Sequence, residues 1–366
     1  MKKFSLKPLL LFTFLLQSLV FAQGATILDF LKWNIDPVAV SRGGSIVADG
    51  AGLHSIYYNP AHLHKVTAWE VTYQRRSFST LYLPKDWNYF AAAAAYRFDE
   101  KNVLSLHWQR MGFGEVIPSV EQGIIDKRGT AKDFAIGLTY GRKITPKFSG
   151  GITLKYLRSD LLGAAANGWA FDLGLNLQNL LPGITLRFHG IEIPGLLRFK
   201  PQGETIGVQL GATLLNAGPQ IYYLAPKQKD PIPQLLRLGF AYNALSSPLV
   251  HFKLLFDFEK ELVRREAVIA DEFYKAWFTA WKGQPLKEAI YHFGLDARLA
   301  YVLSLRFGFR YEAFQNYFNN TILTMGFGIN LKYFSIQYGK WLDRENISSL
   351  DRNSYIIGIR IGNIRF

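Results

Sequence analysis

The chain has 366 residues, with 42 lysines and arginines against 28 acidic residues, a formal net charge of +14, and no cysteine. Without cysteine, a disulfide framework, an acylated lipoprotein and a thiolate metal site are all excluded. The 19% charged residues would suit a soluble protein, but 15% aromatic residues and 32 glycines suit the interfacial girdles and tight interior of a membrane barrel. No dense Lys/Arg cluster accompanies the positive charge, so nucleic acid is not an expected partner, and membrane lipids or acidic proteins are better ones.

The N-terminus carries Lys2, Lys3 and Lys7, an apolar run from Leu9 to Phe21, and small residues at Val20 and Ala22. This pattern predicts a secretory leader over 1–22, cleaved after Ala22, because the run is shorter than the ~20 residues a spanning helix needs. Residues 23–66 follow, rich in glycine and small residues and without strand periodicity; the remainder, 67–366, alternates.

Alternation is clearest at Leu303, Leu305, Phe307, Phe309 and Tyr311, interleaved with Ser304, Arg306, Gly308, Arg310 and Glu312. Such a strand shows hydrocarbon on one face and water on the other. In chain order, the lipid-facing sets begin at Trp69, Phe90, Leu104, Phe134, Ile152, Trp169, Ile206, Leu236, Phe252, Tyr291, Leu303, Leu323, Phe334 and Tyr355. The reading is an all-β fold: a transmembrane antiparallel β-barrel of about 14 strands in the bacterial outer membrane, even-numbered as such barrels require. Short links alternate with longer ones, the latter including Ser159 to Asn167. The link Asn179 to Gly203 breaks the alternation and is read as an excursion or a further hairpin near Ile184 to Phe199. The last strand mixes parities, with Phe366 and Ile364 on one and Tyr355, Ile357, Ile359 and Ile361 on the other, so its facing stays open.

Inward parity collects a set of lumen charges: Asp172, Arg237, Asp257, Asp296, Arg298, Arg306, Arg310 and Glu312. Mixed-sign ladders inside a barrel are structural more often than catalytic, since charges in a low-dielectric lumen must pair. His107 and His292 also face inward, with no serine placed beside them to make a hydrolase. His54, His62 and His64 lack the carboxylates or thiolates of a metal shell. No enzyme activity, metal or cofactor is expected.

The run Ser55 to Leu63 contains Asn59, Pro60 and Ala61, and resembles the N-terminal hatch of FadL-type outer-membrane proteins, where such a tripeptide sits in a plug inside the barrel. Its residues also read simply as a turn, since Asn-Pro is a common turn dipeptide. Four further segments, Ala131 to Tyr156, Gly168 to Leu177, Leu214 to Tyr222 and Pro231 to Tyr242, resemble the PorV/PorQ family of type IX secretion; Asn216, Gly218, Pro219, Pro233, Leu236, Arg237, Leu238 and Gly239 match its motifs. That resemblance implies a secretion component, binding secreted substrates or partner proteins and passing them to surface attachment machinery. The alternative is a FadL-like channel taking up a hydrophobic ligand such as a fatty acid.

The longest external loop places Phe273, Trp277 and Trp281 at helical spacing. Asp271 reads as N-cap, with Gly283 and Pro285 as the stop. A short helix is expected there, as a partner-docking face, a lid, or an anchor in the outer leaflet.

Overall fold

The computed structural model describes residues 26–50, 52–78, 87–116, 129–181, 184–185, 192–193, 197–198, 207–224, 229–247, 249–266, 269–300, 302–312, 321–342 and 354–362. The leader with its cleavage site, and Ile364 and Phe366 of the last strand, lie outside them. Fourteen long strands form the wall: β1 (Trp69–Ser77), β2 (Asn88–Arg97), β3 (Asn102–Val116), β4 (Gly129–Lys143), β5 (Phe148–Leu161), β6 (Ala164–Leu177), β7 (Val208–Ala217), β8 (Leu235–Ser246), β9 (Val250–Glu261), β10 (Ala289–Leu299), β11 (Leu303–Glu312), β12 (Thr321–Asn330), β13 (Phe334–Leu342) and β14 (Tyr355–Gly362). Sequential neighbours pair antiparallel all the way round, and β1 closes on β14. Closure leaves no sheet edge, which is the condition for crossing hydrocarbon with strands.

The alternation fixes which side chain meets which medium. Leu305 and Phe307 are exposed at 40% and 54%, while Arg306 between them is 3% exposed. The same parity exposes Trp69, Leu106, Leu138, Trp169, Leu175, Leu238 and Phe327 and buries their neighbours. β14 follows the isoleucine parity: Tyr355, Ile357 and Ile361 face outward, Ile356 and Arg360 inward. Its whole ladder with β1 runs in unbroken register from Ser77 opposite Tyr355 to Glu70 opposite Gly362, so no bulge is present there.

Three connections bear on the sequence reading, and the first of them overturns it. β5 and β6 extend until only Leu162 and Gly163 join them, at φ 51° and 91°; two successive left-handed residues make a tight hairpin turn, and the expected long loop is absent. In the long link after β6, Ile184–Thr185 pairs parallel with Leu245–Ser246 of β8, and Glu192–Ile193 forms a small ladder with Leu197–Arg198. In the external loop lies a second α-helix, α2 (Phe273–Thr279), after α1 (Pro37–Ser41) nearer the N-terminus. Glu272 holds the N-cap position of α2 without a side-chain bond, whereas Asp271 accepts from Thr279 Oγ1 at 2.5 Å.

With Phe307 in the lipid-facing row, Phe307→Arg should destabilise the barrel by ~2–4 kcal/mol if it lies near the midplane. Denaturant titration of the refolded protein in lipid bilayers measures this. An unchanged transition would refute the register.

Candidate functional site

Residues 26–50 and 52–66 lie against the inner faces of the wall strands, and nearly all of them are buried. Two proline-capped turns organise them. Asp36 caps α1, its Oδ1 accepting from Val38 N at 2.9 Å, with Pro37 at the first helical position. Asn59 caps the 3₁₀ turn Pro60–Lys65 in the same way, accepting from Ala61 N at 3.0 Å. Both use proline where its missing N–H would have no partner anyway. Asn59 therefore is a turn residue, and it also holds the wall: its Nδ2 donates to Val47 O at 2.8 Å and to Leu175 O of β6 at 3.1 Å.

The segment approaches the wall backbone so closely that wall side chains are excluded. A Cβ on Gly151 would stand 2.3 Å from the Pro60 carbonyl carbon, and one on Gly308 would stand 2.1 Å from Gly43 N. Gly174, Gly211, Gly239, Gly326 and Gly339 are blocked by the segment in the same manner. These inward glycines are where the irregular backbone seats.

Charged wall residues satisfy the groups that such a backbone cannot pair by itself. Asp257 accepts from Ile46 N and Val47 N at 2.8 and 2.9 Å, and from Ser45 Oγ at 3.3 Å. Arg237 donates to Gly44 O at 2.7 Å and pairs with Glu259 at 3.2 Å and Asp257 at 3.5 Å. Arg42 of the segment binds Asp296, which Arg306 also engages at 3.1 Å. Asp172 binds Lys155 at 2.8 Å and Asn216 N at 2.7 Å. Arg310 pairs with Glu312 at 2.6 Å near the upper rim, and Arg298 lies near the lower end of β10. All eight lumen charges named from parity point inward, but they fall into separate groups and form no single relay. His54, His62 and His64 are engaged separately by Gln74, Gly50 N and Ala61 O.

Sequence reasoning missed Lys155, Lys253 and Glu259, although strand parity already placed each of them inside. It also missed Arg42, Asp49 and Trp33, which sit on an aperiodic stretch where no pattern marks direction.

Among the described residues, three cavities adjoin the segment. At the end carrying the longer links, a space of about 710 Å³ is lined by Ile27, Leu28, Phe30, Trp33, Trp87 and Phe113, with Asp133, Ser159 and Tyr223 on one side. Trp33 is its centre: rings of Phe78, Trp87, Tyr89 and Phe113 surround it at centroid distances of 5.9, 6.3, 6.4 and 6.4 Å. A second, polar space of about 280 Å³ lies across the segment near Glu259, Glu261 and Arg310. A third, about 330 Å³, lies at the opposite end below Arg42 and Lys65.

The α2 stripe does not form one helical face. Trp277 Nε1 donates to Gln234 at 2.9 Å; Trp281 follows the helix end and stacks on lipid-facing Phe258 at 6.5 Å, leaving Tyr274 and Phe278 outermost.

No family model matches the chain, and no curated protein matches it. Among solved structures, the Ralstonia pickettii toluene transporter TbuX is similar at 13% identity, covering 91% of this chain and 100% of its own, with a TM-score of 0.53. The CymD monoaromatic hydrocarbon channel is similar at 12% identity, covering 92% and 97%, with a TM-score of 0.54. The chain is thus a closed 14-strand antiparallel barrel of the FadL-like outer-membrane fold, and it resides in the outer membrane.

These likenesses overturn the type IX secretion reading, in which partner proteins or secreted substrates would be handed to attachment machinery: the structural neighbours are hydrocarbon channels. The segments that resembled PorV/PorQ proteins are wall elements. Ala131 to Tyr156 and Gly168 to Leu177 lie in β4, β5 and β6, Leu214 to Tyr222 runs on from the end of β7, and Pro231 to Tyr242 opens β8. Such pieces are demanded by the barrel and carry no information about protein cargo.

Burial pushes the Asp36 carboxyl up to about 7, against the pull of its bond from Val38 and of Arg306, Arg42 and Arg360. A raised carboxyl pKa means the folded segment holds a proton the unfolded chain gives up near 4, so this contribution weakens as pH rises from about 4 to 7. Hydrogen exchange over residues 36–41 should accordingly show easier opening across that window in the wild type. Asp36→Asn, which keeps the cap, should flatten the trend; identical slopes would refute the assignment.

Proposed function

We propose that the protein is a non-catalytic outer-membrane channel for hydrophobic small molecules, hydrocarbons or fatty acids, with the inner segment serving as its hatch. The observation that carries this reading is the apolar cavity of about 710 Å³ around Trp33 at the mouth. Its size and lining suit a small ligand: hydrophobic and aromatic walls with a few polar groups on one side. Ser159 Oγ bonds Asp133 at 2.5 Å and the Tyr223 hydroxyl at 2.7 Å, so these three groups satisfy one another, while Asp29, Asp160 and Asp230 complete the polar part of the lining. The inner segment floors the cavity with Phe30 and Trp33, which couples ligand contact to the hatch. The likeness to TbuX and CymD, whose names give a toluene transporter and a monoaromatic hydrocarbon channel, supports the same class of cargo. The segments resembling PorV/PorQ proteins support kinship within this barrel architecture and add no secretion role.

Binding of toluene and of a medium-chain fatty acid to the purified barrel, followed by tryptophan fluorescence, tests the reading. Trp33→Ala and Phe113→Ala should each weaken binding about tenfold, roughly 1.4 kcal/mol. No saturable binding by either ligand, or binding indifferent to both substitutions, would overturn it.

Deleting residues 26–66 should raise conductance in planar bilayers while heat-modifiable gel mobility still reports a folded barrel. Equal conductance with and without the segment would count against a hatch.

A further inference from the structure

The cavity of about 330 Å³ below the inner segment has a composition unlike the other two. Six cationic side chains line it: Arg42, Lys65, Lys253, Arg298, Arg306 and Arg360. Only two carboxylates, Asp49 and Glu70, line it with them. Asp296 stands behind, shared by Arg42 and Arg306, and leaves the cations still in excess. Asp49 is itself shared, at 2.8 Å from Lys253, 3.7 Å from Arg42 and 3.8 Å from Lys65. The surplus is local, because the polar cavity at the other end has five carboxylates, Asp29, Glu259, Glu261, Glu288 and Glu312, against Lys32, Arg76 and Arg310.

Two donors add an independent observation. His54 is 1% exposed and lines the cavity. Gln74 Nε2 donates to its Nδ1 at 2.7 Å, so the neutral ring carries its proton on Nε2, which has no hydrogen-bond partner among the described residues. Arg298 Nε likewise has none. Buried donors are normally satisfied, and a surplus of buried cations is costly unless an anion joins them.

We propose that this cavity is an oxyanion site, binding the carboxylate or phosphate group of a small ligand through Arg298, the neighbouring cations and His54 Nε2–H. Guanidinium groups suit the task because their planar donors match an oxyanion in pairs. Burial lowers the Lys65 ammonium to about 8; Asp49 opposes this, and the neighbouring Lys253, Arg42 and Arg298 add to it. The site goes beyond the hydrocarbon reading: it lies on the other side of the inner segment from the Trp33 cavity and does not need that cavity to be occupied.

Isothermal titration of the full-length mature barrel in detergent, in low-salt buffer, with inorganic phosphate, acetate and octanoate as separate probes, tests the proposal. Saturable binding of phosphate or of a carboxylate is expected. It should weaken at least tenfold in Arg298→Gln and recover in part in Arg298→Lys, with heat-modifiable mobility confirming that each variant is folded. Octanoate binding at least tenfold tighter than acetate and weakened by Arg298→Gln supports the site with a carboxylated cargo as its source; phosphate binding without that preference supports it with a free phosphate. Absence of saturable binding by all three probes, or binding that Arg298→Gln leaves intact, overturns it. Failure of hydrocarbon binding at Trp33 alone leaves this result standing, so the two readings fail separately.

Discussion

An aperiodic stretch of backbone inside a barrel has no strand beside it, and every peptide group that its own short turns leave unpaired must find a partner on the wall. That requirement shapes both sides of the contact. Where the segment touches wall backbone the wall has glycine, as at Gly151 against Pro60 and Gly308 against Gly43. Where it presents an amide or carbonyl, the wall has a polar side chain of fixed reach: Asp257 for Ile46 and Val47, Thr324 for Gly43 N at 3.0 Å, His292 for Gly43 O at 2.7 Å, and Asn176 for Ala48 O at 2.7 Å. The lumen charges thus read first as a bonding template for the segment. Their pairing with one another is secondary.

This template also explains why buried ions are tolerated. Arg237 and Asp257 are both almost fully enclosed, and an isolated ion pair there would gain little over an apolar replacement once desolvation is counted. Each, however, also bonds the segment backbone, Arg237 at Gly44 O and Asp257 at two amides. Removing either would orphan a charge and a peptide group together, so the pair acts as an anchor whose loss the segment cannot absorb.

The wall was legible because period-2 alternation is a local property: Leu305 and Arg306 declare their faces without reference to anything distant. The same parity correctly put Asp172, Asp257 and Asp296 inside. It could not say that Asp172 meets Lys155, its diagonal neighbour on the β5–β6 ladder, because that depends on register, or that Arg42 completes Asp296, because those elements lie far apart in sequence. The turn at Leu162 and Gly163 escaped because Leu162 is an unlikely residue for positive φ, so a short link looked long. Asn59-Pro60-Ala61 was legible as a turn, and in that turn the cap residue is also the one that grips β6. The secretion reading failed for a related reason: its matching segments were strands and strand ends, and a barrel's own architecture was mistaken for evidence of cargo.

The inner segment divides spaces of opposite character, and this constrains any route between them. An apolar guest at Trp33 loses little by leaving water, but the cavity below Arg42 would have to surrender the hydration of its cations to admit the same hydrocarbon, at a cost that apolar burial does not return. If the lower cavity holds an oxyanion as proposed, an anionic head group would replace water around Arg298, whereas a guest without charge would have to strip those cations of their hydration. Arg42, which is buried at 2% exposure, lines this cavity and bonds Asp296 on the wall and Asp49 O within the segment at 2.9 Å, so the cationic space is fixed by both sides of the contact.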